Sequence, residues 1–381
     1  MDMKSLLKRL VETESPSSDK AAVDRVGVIV ADEARRLGAD IEIVSVEKAG
    51  DHIIARWAGE SPSPSGSPIG VLREVVRGEG EILLLCHMDT VFPLGTLAKM
   101  PYREADGKIY GPGALDMKAG IVISLAAIEI LQQSGGLNRQ LTLLCTSDEE
   151  VGSLTSEKLI VELARASELV LVLESALPDG SLKTWRKGVG EFRVRVKGRA
   201  AHAGGAHEEG RNAIEEISHQ VLAIQKMTDY EKGTTLNVGV IQGGTVSNVV
   251  PEEATAQVDV RVMQPGEWER VEAEMQALKP VLDGTSLTIA GGLNRPPMPF
   301  DETMKETFEK AKTIAARVGI ELKAGGSGGG SDGNFVAPLG IPVLDGLGAV
   351  GDGLHSEREY IFADSLAERA RLLAALLQNW F

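Results

Sequence analysis

The sequence predicts an α/β protein: a mixed, mostly parallel sheet interrupted along the chain by a smaller, ferredoxin-like α+β module. Three observations predict it. Continuous apolar runs (ILLLC from Ile82, LTLLC from Leu141, LVLVL from Leu169) alternate with stretches of helical periodicity, the pattern of strands covered on both faces. At Gly188 the rhythm changes to strict polar/apolar alternation in GEFRVRVKG, and a β-α-β-β-α-β order follows. After Asn294 the first rhythm returns. Residues 1–187 and 294–381 are therefore expected to form one domain, with 188–293 inserted as a second.

The elements follow in order. Lys4–Glu14 and Asp19–Leu37 carry apolar residues at three- and four-residue spacing, and IEIVSV and HIIARWAG read as strands. SPSPSGSPIG from Ser61 reads as a surface loop or hairpin tip. The strand ILLLCH, a helix from Met117 to Gln133, the strand LTLLCTSD, a helix from Ser153 to Arg165 and the strand LVLVLE complete the first half. In the inserted module, GEFRVRVKG is followed by a helix from Asn212 to Met227 and the strands TTLNVGVIQGG and ATAQVDVRVM. A helix from Gly266 to Leu278 and the strand SLTIAGG close it. The chain ends with a helix from Glu302 to Val318, a Gly-rich loop, the strand PVLDGLG and a helix from Phe362 to Trp380.

Composition narrows the function. With 381 residues, 43% apolar and 25% charged, the chain has the balance of a globular protein rather than a disordered one. A net charge of -15 argues against nucleic acid or an anionic membrane as partner, since both select positive potential. The N-terminal MDMKSLLKRLVETES lacks the apolar core of a signal peptide, and no run of 18 apolar residues spans a bilayer. Cys86 and Cys145 sit inside apolar runs, as buried free thiols do, and a cytoplasmic location is expected.

The chemistry gathers where parallel strands end. His87-Met88-Asp89 follows ILLLC, Asp148-Glu149-Glu150 follows LTLLCTS, and Glu174 follows LVLVL. Asp116 precedes a helix, and His355 lies in GLGAVGDGLHSE. One such residue is an ordinary helix cap or solvated side chain. Several ends of one sheet carrying His or acid are hard to explain that way, because clustered carboxylates repel unless a positive charge sits among them. A divalent metal supplies that charge, and these are nitrogen and oxygen ligands that zinc accepts. In His-x-Asp the two side chains point the same way, so Asp89 can accept a hydrogen bond from the imidazole of His87 and fix its tautomer. Adjacent Glu149 and Glu150 diverge, so one can bind metal while the other acts as general base. Asp116 as a shared ligand would make a two-metal site.

LLLCHMDTVFP, YGPGALDMKAGI, TSDEEVGS, the Glu after LVLVL, RAAHAG and LHSEREYI, in this order, resemble the two-zinc metallopeptidases. That family includes glutamate carboxypeptidases, aminoacylases, acetylornithine deacetylases and succinyl-diaminopimelate desuccinylases. The resemblance covers nearly the whole chain and implies a zinc-peptidase domain interrupted by a dimerisation (lid) domain. It implies that His87, Asp116 and Glu174 hold one Zn2+ and Asp116, Glu150 and His355 the other. Glu149 becomes the general base that activates a zinc-bridging water, and Asp89 the partner of His87. A cis peptide is implied after Asp116. His202, on its own a surface-loop residue, becomes the group that polarises the scissile carbonyl across a homodimer. Asn248, Arg261, Gly330 and Ser331 match carboxylate-binding positions, and Arg295 a further substrate-side Arg. His207 stands where the family commonly has Pro and is taken as exposed, while His52 and His219 have no partner motif. Mn2+ or Co2+ fit the same ligands as Zn2+. The implied substrate is a small peptide ending in a glutamate-type residue or an N-acyl amino acid. Acetylornithine deacetylase or desuccinylase chemistry is the alternative. With two divalent ions bound, the formal charge becomes -15 + 4 = -11.

Two competing readings are weaker. Gly325–Gly329 formally matches G-x-S-x-G and would make Ser327 a hydrolase nucleophile, but three glycines follow where an elbow needs a helix. A catalytically inactive metal-binding relative would lack a ligand or the base, and here every position is filled.

Overall fold

The computed structural model describes residues 1–59 and 81–381; the Ser61 loop lies outside the described residues. These form two compact units. The larger comprises Met1–Trp185, Phe300–Ser327 and Ser331–Phe381, and the smaller Arg186–Pro299 with Gly328–Gly330. The smaller unit is wider at both ends than 188–293, and its closing strand, Ser286–Arg295, runs past Leu293.

The larger unit is built on a six-stranded sheet in the order Asp40–Val44, His52–Trp57, Leu141–Thr146, Ile82–His87, Leu169–Val172, Val343–Leu344. The first two pairings are antiparallel and the remaining three parallel, so the sheet is mixed and mostly parallel. Ile82–His87 is buried along its whole length, which is why it reads as an unbroken apolar run. The Ala119–Gln133 helix is likewise apolar on nearly every face, because it packs within the core with the Ala363–Asn379 helix. Gly120 lets that helix approach the end of the Leu169–Val172 strand: a Cβ there would fall 2.2 Å from the carbonyl oxygen of Leu173, beside Glu174. The amphipathic helices Met3–Glu12 and Lys20–Arg36 begin at Asp2 and Asp19, whose carboxylates accept first-turn amides.

A second, four-stranded antiparallel sheet was not expected from the sequence. Its order is Gly351–Asp352, Tyr360–Phe362, Lys108–Tyr110, Arg103–Ala105. Strands of two or three residues leave almost no periodicity to read. Ring contacts knit it together: the Tyr110 and Tyr360 centroids lie 5.6 Å apart, with Lys108 3.9 Å above Tyr360.

The smaller unit carries a four-stranded antiparallel sheet in the order Thr235–Gly243, Glu253–Val262, Gly188–Lys197, Ser286–Arg295. Its helices are Ala213–Gln225 and Glu267–Gln276, giving the ferredoxin-like order. Alternation buries Phe192, Val194 and Val196 against Val258, Val260 and Trp268, and the Phe192 and Trp268 rings stack at 5.3 Å. Among the described residues no helix is long and apolar enough to cross a membrane.

Candidate metal centre

The carboxyl ends of the central strands bring the predicted ligands of the larger unit together. His87 ends its strand with the ring buried, its Nε2 3.0 Å from Asp116 Oδ1 and 3.3 Å from Glu174 Oε1. His355 Nε2 lies 3.1 Å from Asp116 Oδ2 and 3.3 Å from Glu150 Oε2. Asp116 thus faces a His through each of its oxygens. It sits in a tight turn, Ala114–Lys118, that leads into the Ala119–Gln133 helix, and its peptide bond to Met117 is cis. His355 occupies a left-handed position, φ 58°, in the hairpin between Asp352 and Tyr360. Ligand atoms of His87, Asp116 and Glu150 lie within 4.8 Å of one another, as do those of His87, Glu149 and Glu174.

Asp89 does more than sequence reasoning assigned to it. The Nδ1 of His87 faces the backbone carbonyl of Asp89 at 3.1 Å and its carboxylate at 3.4 Å. The carboxylate itself accepts the amides of Glu149 (3.2 Å) and Glu150 (3.1 Å) and the hydroxyl of Ser17 (2.7 Å). One buried acid therefore fixes the His87 ring and the backbone of both neighbouring acids. Asp148 anchors the far side of the same loop, accepting from Thr155 and Ser156. His52, left without a partner by the sequence, bridges Ser147 and Thr155 at 3.1 Å each.

The charges are strongly coupled. Burial lowers the basicity of His87, but Asp116, Asp89 and Glu174 outweigh it and raise its pKa well above the usual imidazole range. Asp116 and Glu150 raise His355 to about 10. Burial works against ionisation of Asp116, yet the two imidazoles hold its carboxyl far below the carboxylate range. Burial pushes Glu150 up, against the pull of His355. Three carboxylates and two imidazoles, with His87 buried and His355 at the exposed side, form a nitrogen–oxygen donor set suited to divalent ions. One further observation fits: Glu150 Oε1 is buried and accepts no hydrogen bond among the described residues.

Three of the buried charged residues that escaped sequence reasoning lie beside Asp116 or Glu174. Lys183 Nζ lies 3.9 Å from Glu174 Oε2 and donates to Ser175 Oγ at 3.2 Å. Lys118, lowered to about 7 by burial against the charges of Glu359 and Glu14, donates to the carbonyl of Thr13. Glu359 accepts amides of the Asp116 turn; burial, then the charge of Asp116, push its carboxyl up to about 8 against those donors. Nothing in their local sequence marks these three, and the partners of Lys118 and Glu359 are more than 100 residues away along the chain.

The residues expected on the substrate side are placed less uniformly. In the smaller unit, His202 is exposed and its Nδ1 accepts the amides of Gly204 (3.1 Å) and Gly205 (2.9 Å). Asn248 is exposed immediately before Val249–Val250, the segment paired with that of His202, and its carbonyl accepts the amide of Ala203. The Arg261 guanidinium is gripped by Asp259 through contacts of 2.8–3.1 Å. Arg295 is buried with Nη1 on Asn294, and a Cβ on Gly330 would meet its Cδ at 2.8 Å. In the larger unit, Ser331 is fully buried; its hydroxyl donates to Asp345 at 2.6 Å and its amide to Asn334 at 2.8 Å. His207 is exposed. Ser327 ends a strand, Ala324–Ser327, and the next helix starts only at Gly333, so it does not stand on a strand-to-helix elbow.

Comparison with known proteins agrees with this geometry. The chain is 30% identical over 386 residues to carboxypeptidase G2 of Pseudomonas sp. strain RS-16, spanning 98% of this chain and 88% of that protein. It is 26% identical over 402 residues to the succinyl-diaminopimelate desuccinylase of Nitrosospira multiformis, spanning 99% and 98%. The fold matches the M20 family metallo-carboxypeptidase Sso-CP2 of Sulfolobus solfataricus with a TM-score of 0.76 at 17% identity, covering 99% of each chain. The family model for peptidase family M20/M25/M40 matches residues 83–379, a span that holds all five converging candidate ligands and Glu149; the chain belongs to that family and is a metallopeptidase or amidohydrolase.

Proposed function

We propose that the chain is a two-metal carboxypeptidase that cleaves the amide bond of a C-terminal, glutamate-type residue or of an N-acyl amino acid. The observation that carries this reading is Asp116, with one oxygen toward His87 and the other toward His355, flanked by Glu174 and Glu150. His87, Asp116 and Glu174 would hold one ion, and Asp116, Glu150 and His355 the other. Bound zinc, or manganese or cobalt on the same ligands, would polarise the amide carbonyl and acidify water. Glu149 takes the proton of the attacking water on its carboxylate and passes it to the nitrogen of the leaving amine. Its oxygen lies within 4.8 Å of ligand atoms of both His87 and Glu174, which supports that role. His202 accepts on Nδ1, so its neutral ring carries the proton on Nε2 and can donate to a carbonyl oxygen gaining charge.

The glutamate-type preference rests on the resemblance of GGGSDG and HSEREY to glutamate carboxypeptidases, and Arg261 and Arg295 are the cationic side chains offered to a substrate carboxylate. Asn248 and the backbone at Gly330 would complete that subsite within the smaller unit. A panel of peptidyl-glutamate, N-acetyl and N-succinyl amino acids decides the class. Fastest turnover of the glutamate-terminated peptide is expected, with activity lost on chelation and restored by zinc. Preference for N-succinyl substrates would move the enzyme to the desuccinylases, and activity that survives chelation would overturn the metal-dependent reading.

A homodimer is proposed as well, and the smaller unit supports it. The Thr235–Gly243 strand is an open sheet edge with Val240 and Ile241 exposed, and the Ala213–Gln225 helix exposes Ile214 and Leu222. Sedimentation is expected to give twice the 40.5 kDa chain mass. A single-chain mass at working concentration would rule out His202 acting on a partner's site.

A further inference from the structure

One carboxylate joins the Asp116 turn to the His355 hairpin. Glu359 is fully buried, four residues after His355 and at the start of the Tyr360–Phe362 strand. Its Oε1 accepts the amides of Leu115 (2.6 Å) and Asp116 (3.1 Å), and its Oε2 the amide of Gly113 (3.3 Å). Gly113 is left-handed, φ 70°, so successive amides of the turn point inward and form an anion-binding nest that this side chain fills. The two turns are also fixed from outside, because Lys108–Tyr110 and Tyr360–Phe362 pair in the small antiparallel sheet.

We propose that Glu359 is a positioning residue that presets the metal centre, holding the backbone of Asp116 in register with His355 before any ion binds. The argument is one of satisfaction and reach. Without Glu359, three amides of a buried turn lose their acceptor. One of these is the amide of Asp116 itself, so the turn can relax only by moving the shared ligand. The Glu359 carboxylate engages the turn through its backbone amides, and it acts through them. Outer hydrogen bonds of this kind typically set metal affinity by about 10- to 100-fold.

The inference rests on reading Asp116 and His355 as ligands, and cobalt titration of the intact protein separates the two ideas. Wild-type protein is expected to take up two Co2+ with visible d–d absorption. If it takes up none, the metal reading itself fails. Glu359→Gln, which keeps one acceptor oxygen, is expected to weaken Co2+ binding modestly and to alter the d–d spectrum. Glu359→Leu, which keeps none, should weaken it about 10- to 100-fold. Wild-type affinity and spectrum in both variants would overturn the positioning role while leaving the metal reading intact. Should the Leu variant not fold, hydrogen exchange on chelated wild-type protein decides. Amides 113–116 should stay protected without metal. If they become fast-exchanging while the rest of the sheet remains protected, the ions rather than Glu359 hold the turn, and the proposal fails.

Discussion

Glu149→Gln should leave the bound-metal content of the protein at its wild-type level and lower turnover by about 10²- to 10⁴-fold, the usual contribution of a positioned general base. The two expectations separate because of how the loop is built. Glu150, one residue on, carries the contact with His355, and Asp89 holds the amides of both acids through their backbones. Gln at 149 disturbs neither anchor. It keeps the volume and removes only the capacity to take a proton. The loss should fall on kcat, with KM changing little, because the proton transfer stabilises the transition state more than the bound substrate. Metal analysis and steady-state kinetics on the same preparation check it. A variant within a few-fold of the wild-type rate would remove Glu149 from the proton path. A variant that loses metal would make Glu149 a ligand, a role compatible with its oxygen lying near those of His87 and Glu174.

The legibility of this centre in the sequence follows from where each residue gets its meaning. His87 ends an apolar strand and Glu149, Glu150 and Glu174 stand just past two others, and in a parallel arrangement those ends converge, so position alone places them together. Glu359 carries no such signal. In HSEREY it looks like one more solvated charge, and its donors at Gly113, Leu115 and Asp116 are more than 240 residues away. Only the pairing of two three-residue strands, too short to show periodicity, brings them into reach. Ser331 shows what motif matching leaves unseen: within the fold its hydroxyl donates to Asp345 and its amide to Asn334. The Asp259–Arg261 pair could have been seen, since residues two apart in a strand share a face.

Loading the metal-free protein at neutral pH should release about two protons, and the apparent affinity summed over both ions should rise about a hundredfold per pH unit below the imidazole pKa values. Asp116 and Glu150 raise His355 to about 10, and Asp116, Asp89 and Glu174 outweigh burial to hold His87 well above its ordinary value. Without metal, both rings are therefore cationic at pH 7, their charges compensating the carboxylates around them. A metal ligand must be neutral, so each ring gives up its proton as an ion enters. The sign for stability follows. A raised pKa stabilises the folded, metal-free protein fully below the unfolded imidazole value of about 6.5 and loses that contribution as pH climbs through the folded value. The chelated protein should thus melt at a lower temperature at pH 10 than at pH 7, by a larger margin than the loaded protein, in which divalent charge replaces the protons. Titration calorimetry in buffers of different ionisation enthalpy measures the protons directly. Binding with no proton release at pH 7 would mean that the imidazoles are already neutral and that the carboxylates of the empty site are balanced by other cations, Lys183 beside Glu174 first among them.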